Sequence, residues 1–358
     1  MSEHALPSSF TYEGGELIGS GTYGVIHAGL LESIQYPGVD KIYFRPNISV
    51  AVKTERGSNA ERTKDMLARV NTLLLTYATD EFLSRFFPCI YRSEIDEPKA
   101  PLYADHDGTL QCVMGLINND LLNYFGTHFK AAEDAVEDVY NCFNQVISMV
   151  RTVEARGLFY TDLKTENIGV KVVGNNTLYC FLDLDSFVEY KDKLAARYSF
   201  TFTPLCSKSV TDTFFNEGGE FDKLTNKKKE FIVHLCHITG LMNILATVLL
   251  LSDLVPEVKA ENLLTLRTNM EFSEEAANDL DRLENVKRIA ELMLECIGPK
   301  FNRSARFVDK AKGNELPADE PSFEKDNVLT FNFLTTSIAT LETALDTIRE
   351  DKRLQYFF

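Results

Sequence analysis

The sequence predicts an α+β protein, with an antiparallel, β-rich N-terminal lobe followed by a mostly helical C-terminal lobe. Between residue 14 and about residue 113, apolar and β-branched runs such as Ile48-Ser49-Val50-Ala51-Val52 alternate with glycine and proline turns. From Val136 to Val153, apolar residues recur mostly at steps of three and four, which gives a helix one apolar face. Past residue 222 every periodic segment has helical spacing. At 358 residues the chain is long enough for two lobes, each with its own buried core. The predicted boundaries are a flexible N-terminus over 1–13, the N-lobe over 14–115, the C-lobe over 116–311, and a linker with a C-terminal helix over 312–358.

Taken in order, Glu16-Leu17-Ile18 runs into the string Gly19-Ser20-Gly21-Thr22-Tyr23-Gly24, and Val25-Ile26-His27-Ala28 leaves it as a second strand. Pro37-Gly38 and Arg45-Pro46 mark an extended hairpin insertion over 32–46. A strand over 48–52 ends in Lys53, and Leu67, Val70, Leu74 and Leu75 predict a helix over 59–76. The chain turns helical after Asn118-Asn119-Asp120, and Gly157 is placed to stop the 136–153 helix in a left-handed cap. Segments 168–173 and 178–182 predict a hairpin around Gly174-Asn175-Asn176. Residues 231–251 carry no charge and follow Lys227-Lys228-Lys229, a length that suits a bilayer. His234, His237, Thr239, Gly240, Asn243 and Thr247 interrupt the run, so a buried central helix is the expectation. A polar linker over 312–327 precedes an amphipathic helix marked by Ile338, Leu341, Leu345 and Ile348.

The net charge of -16, from 37 Lys and Arg against 53 Asp and Glu, argues against a nucleic-acid or anionic-membrane partner. The 7 cysteines are scattered, with no Cys-x-x-Cys pair, which predicts reduced thiols in an intracellular (cytoplasmic or nuclear) setting. Residues 1–10 lack the apolar core of a signal peptide. His234 and His237 flank Cys236 with no further ligand cluster in the sequence, so they read as core histidines rather than metal ligands.

The chemistry concentrates in Asp162-Leu163-Lys164-Thr165-Glu166-Asn167, at the end of a helical run and the start of a strand. A carboxylate there orients an attacking hydroxyl, an ammonium neutralises a moving phosphoryl group, and an amide oxygen holds a magnesium ion. The glycine string is a Gly-x-Gly-x-x-Gly. A dinucleotide fold would follow it with a helix, whereas a strand follows here, and a strand-turn-strand loop directs backbone N–H groups at phosphates. Lys53, at the end of an apolar strand behind that loop, is placed to hold phosphate oxygens.

In this combination the sequence resembles a divergent eukaryotic-type serine/threonine protein kinase over roughly residues 14–310, which implies the bilobal protein-kinase fold and ATP with Mg2+ as cofactors. The resemblance makes Asp162 the catalytic base, puts Lys164 on the γ-phosphate and marks the serine/threonine branch by that lysine. It gives the nucleotide Gly19, Gly21, Gly24, Val25, Ala51, Lys53, Met114, Leu116 and Asp120, with 113–116 as the segment that pairs with adenine and Asp120 toward the ribose. Asn167 and Asp183 are the implied metal ligands. Asp183 stands in for the acid of an Asp-Phe-Gly triplet, with Leu184 in the aromatic slot and Asp185 in place of glycine, and whether Asp185 joins Asp183 at the metal stays open. Glu61 and Asp65 are alternative partners for Lys53. The implied partner is a protein substrate bearing Ser or Thr, with no nucleic acid and no membrane.

Weaker matches are Thr203-Pro204-Leu205, as the end of an activation segment, and Arg303 after Pro299. Lys208-Ser209-Val210 replaces Ala-Pro-Glu, a triplet that the casein-kinase-like branch also lacks, and Asp222 precedes the central helix with no aromatic after it. Two other readings remain. Asp183-Leu184-Asp185 is closer to small-molecule phosphotransferases of kinase fold, and the departures at Thr161, Asp185 and Val210 suit an ATP-binding pseudokinase scaffold. The residues before Asp162 are Tyr160-Thr161, without the arginine that pairs with an activation-loop phosphate. Phosphatase treatment is therefore expected to leave phosphotransfer unchanged, and activity found only after phosphorylation between Asp183 and Thr203 would contradict this.

Overall fold

Hydrophobic alternation along three long strands organises the first part of the protein. A computed structural model describes residues 9–21, 24–35, 40–55, 85–89, 102–106, 109–128, 135–173, 176–190 and 221–252, with short pieces between 257 and 264. Strands β1 (Ser9–Ser20), β2 (Gly24–Gln35), β3 (Ile42–Glu55), β4 (Leu102–His106) and β5 (Thr109–Gly115) form an antiparallel sheet in the order β1-β2-β3-β5-β4. Val50, Val52 and Val113 are fully buried in one core with Phe10, Leu31, Ile34, Phe44 and Ala104. Strand period two then puts Ala51, Lys53 and Glu55 on the other face of the sheet.

β1 begins at Ser9, inside the stretch expected to be a flexible lead-in. The reason is Phe10, which is fully buried and contributes on the order of 1.5–3 kcal/mol by leaving water. The expected 59–76 helix, the 191–220 segment and everything beyond residue 264 lie outside the described residues.

The chain forms two compact units. Residues up to Asp120 join Ile168–Asp185 in the first, and Leu121–Asn167 joins Ser186 onward in the second. β6 (Asn119–Asp120), β8 (Ile168–Val173) and β9 (Asn176–Phe181) make a small sheet within the first unit, with the expected hairpin between β8 and β9.

The second unit contains α1 (Leu121–His128), α2 (Ala135–Ala155), β7 (Leu158–Tyr160), β10 (Phe187–Glu189) and α3 (Asn226–Leu251). α2 buries Val139, Cys142, Phe143, Val146, Ile147, Val150 and Val153 along one face and packs on α3 and β7. Gly157 ends that helical run at φ 77, where a side chain would be strained, and its N–H reaches the Glu154 carbonyl at 2.8 Å. In α3, Val233, Leu241, Ile244, Leu245, Val248 and Leu249 are all buried, as expected of a helix enclosed by its own domain. Among the described residues no helix is long and apolar enough to cross a membrane.

Cys89, Cys112, Cys142, Cys180 and Cys236 are buried thiols that form no disulfide among the described residues. Burial pushes Cys180 up from 9.0 to about 12, and burial followed by the neighbouring Cys180 does the same to Cys89, both against the opposing charge of Lys171. In the unfolded chain these thiols ionise near 9.0, while the folded chain keeps its protons to about 12. The folded state therefore binds more protons in that window, so their contribution to stability is complete below the unfolded value and is lost as the pH rises through the window. Urea unfolding at about pH 8 and about pH 10.5 should show the alkaline loss, and Cys89→Ala with Cys180→Ala should flatten it.

Candidate active site

In the first unit, the glycine string forms the β1–β2 turn, closed by a hydrogen bond from Gly21 N–H to the Gly24 carbonyl at 3.0 Å. The glycines have different physical reasons. A Cβ on Gly24 would stand 2.4 Å from the Thr54 carbonyl oxygen, so close approach of β2 to β3 requires glycine there. A Cβ on Gly21 would meet nothing within 4 Å, and one on Gly19 only ordinary contacts with Ile26. Packing therefore does not demand glycine at Gly19 or Gly21.

Register defines which side chains share a face with Lys53. Ile26 and Cys112 lie opposite Lys53, and Ala28 and Met114 lie opposite Ala51, so these side chains project together. Val25 lies opposite Thr54 and projects from the other face. Ile26 is thus the β2 residue beside Lys53. It was missed in the sequence reading, although counting two residues on from Gly24 along the strand finds it.

Lys53 Nζ donates to Asp183 Oδ1 at 2.6 Å and sits 3.2 Å from Glu55 Oε1. Glu55 is buried two residues along β3, and its contact is an ion pair without hydrogen-bond alignment. The sequence candidates Glu61 and Asp65 lie outside the described residues; Glu55 was legible as a same-face neighbour by strand period two. Asp183 has φ 51, a left-handed conformation uncommon outside glycine, in which Asp and Asn are the best-tolerated side chains. Buried Leu184 follows it and opens a short 3₁₀ turn, Leu184–Ser186. Strained backbone of this kind persists where its surroundings hold it, here through the pair with Lys53.

In the second unit, β7 pairs with β10 and delivers the loop that holds Asp162. Thr161 is buried, and both its N–H and its hydroxyl donate to the Ser186 carbonyl, at 2.9 Å and 3.2 Å. The position that carries arginine in the resembled family is therefore turned inward and spent on structure. Asp162 is 2% exposed, and its Oδ2 accepts from Lys164 Nζ at 2.7 Å and from Asn167 Nδ2 at 2.9 Å. Asn167 Nδ2 also donates to the Asp162 carbonyl at 2.8 Å, and a 3₁₀ turn over Thr165–Asn167 bends the chain so that it can. Leu163 is buried against α3 at Gly240, where a Cβ would come within 2.9 Å of it. The structure thus brings Asp162, Lys164 and Asn167 together as one hydrogen-bonded group.

The donor types fit magnesium. In the second unit, both bonds of the Asn167 amide nitrogen run to Asp162, and its carbonyl Oδ1 is a hard oxygen; in the first unit, Asp183 carries a carboxylate engaged with Lys53. Magnesium takes hard oxygens, typically one or two from the protein alongside phosphate and water. His237 is no metal ligand, because both ring nitrogens are engaged: Nε2 with Tyr160 N–H at 3.0 Å and Nδ1 with Glu154 Oε1 at 2.6 Å.

Two further expected residues, Leu116 and Asp120, belong to the first unit. Leu116 lines a cavity of about 440 Å³ with Arg85, Phe87, Cys89, Lys171 and Leu178, and Gly19, Lys53 and Asp183 do not line it. Asp120 is half-buried in β6, paired with Gly169. The side chain of Asp185, the 203–210 segment and Arg303 are outside the described residues.

Comparison with models of known families finds no match, and comparison with curated proteins finds none. The two glycines give a test of the turn geometry. Gly24→Ala should cost about 1–3 kcal/mol by overpacking against β3, while Gly21→Ala should stay within about 0.5 kcal/mol, both measured by denaturant unfolding.

Proposed function

We propose that this protein transfers the γ-phosphoryl group of ATP to serine or threonine hydroxyls of protein substrates. The observation that carries the reading is the buried Asp162 carboxylate, held on one short loop by Lys164 and Asn167. A carboxylate fixed by two bonds to one oxygen is oriented as a proton acceptor, since such a group offers about four acceptor sites. A substrate hydroxyl loses its proton to Asp162 as its oxygen bonds to the γ-phosphorus. The bond from that phosphorus to the β-bridging oxygen breaks, and ADP departs. Lys164, with its side chain 31% exposed, is available to offset the charge that develops on the moving group.

Lys53, on the sheet face with Ala51, Ile26 and Met114, holds phosphate oxygens. The Asn167 carbonyl oxygen and the Asp183 carboxylate are each of the donor type that would hold magnesium, which when bound neutralises the phosphate charge. The choice of Ser and Thr rests on Lys164 as the mark of that branch. The inward-facing Thr161 supports activity without a loop phosphate.

With γ-labelled ATP and magnesium, the chain should label serine and threonine in a mixture of proteins, and Lys53→Met should reduce the rate by about 10²-fold or more. Label appearing on amino sugars or choline alone would favour the small-molecule reading. Label on neither, with ATP still bound, would favour the scaffold.

A further inference from the structure

We propose that His237 and Glu154 are positioning residues for the loop that holds Asp162, an inference that rests on the phosphoryl-transfer reading. The two lie on different helices, α3 and α2, and meet on the backbone of β7 just ahead of that loop. A backbone N–H can only donate. The 3.0 Å bond from Tyr160 N–H therefore requires a lone pair on His237 Nε2. The ring is then neutral with its proton on Nδ1, and it donates that proton to Glu154 Oε1 at 2.6 Å.

The tautomer is thus fixed by its two partners. A histidine present only to fill the core would need neither bond. His237 is 1% exposed and also packs edge-on against Phe159, with ring centroids 5.3 Å apart. Glu154 is held in turn through the end of α2, where its carbonyl accepts the Tyr190 hydroxyl at 3.2 Å.

The result is a clamp on two consecutive peptide groups. Tyr160 N–H is fixed to α3 through His237, and Thr161 N–H is fixed to the Ser186 carbonyl at 2.9 Å. Asp162 is the next residue, so its Cα position follows from these two anchors. Neither His237 nor Glu154 touches the reacting atoms in this account. They act by limiting where the carboxylate sits, and a displacement of about 1 Å at a reacting group can cost on the order of 10²-fold in rate.

Three substitutions separate anchoring from bulk packing. Glutamine at this position keeps an acceptor near Nε2 for Tyr160 N–H, asparagine reaches only the δ position toward Glu154, and phenylalanine keeps the ring and loses both bonds. For His237→Phe and His237→Asn, kcat should fall about 10–10²-fold with the KM for ATP within about twofold, and Tyr160 amide exchange by NMR should speed up at least about tenfold. His237→Gln should recover both readouts to within about threefold of wild type. Unchanged exchange and kcat in His237→Asn, or His237→Gln no better than His237→Asn, would overturn the proposal. Amide exchange is read whether or not the chain transfers phosphate. An inactive wild type with the expected exchange pattern would sink the phosphoryl-transfer reading while leaving the anchor in place, whereas an active wild type with unaltered exchange in His237→Asn would sink the anchor alone.

Discussion

A carboxylate that is 2% exposed sets the terms for the second unit. An ionised group withdrawn from water is tolerated only with charge and hydrogen bonds brought to it, since an uncompensated buried charge costs several kcal/mol. Asp162 receives an ammonium from Lys164 and an amide from Asn167, and the 3₁₀ turn that supplies the amide exists because these groups are only five residues apart. Buried Leu163 between them is seated on α3 at Gly240, so the loop has an apolar anchor as well as a polar one. The helix that provides this support is buried on most sides, which suits a platform rather than a surface element.

The first unit solves a comparable problem with a cation. Lys53 has a side chain only 12% exposed and meets two carboxylates, Glu55 from its own strand and Asp183 beyond β9. Strand alternation makes the arrangement possible: the valines of β3 fill the apolar core, and the residues between them are free to bear charge on the opposite face. Asp183 takes its place with a left-handed backbone at φ 51, held by its pair with Lys53.

Much of this was legible in local pattern. The 136–153 periodicity, the stop at Gly157, the 168–173 hairpin strand and the order Gly19, Lys53, Asp162, Asn167, Asp183 all depend on neighbours within a turn or a strand. Phe10 was harder to read because its burial comes from pairing with β2 and contact with the sheet core. Glu55 and Ile26 follow from strand period two, which puts both on the face that carries Lys53. The His237 contacts were out of reach: Glu154 lies 83 positions away, and nothing in either neighbourhood signals the other. Two histidines three apart read as core residues, and only the folded backbone shows what occupies both nitrogens of His237.

The central claim is that Asp162 acts on the reaction rather than merely supporting the loop. Asp162→Asn keeps the shape and an acceptor for Lys164 and Asn167 while removing the basic charge. Measuring magnesium-ATP affinity and turnover on the same preparation separates the roles. Affinity should stay within about threefold of wild type while turnover falls by about 10²–10⁴-fold, the range for loss of a general base. Turnover equal to that of wild type, or a loss that only tracks a loss of ATP binding, would contradict it.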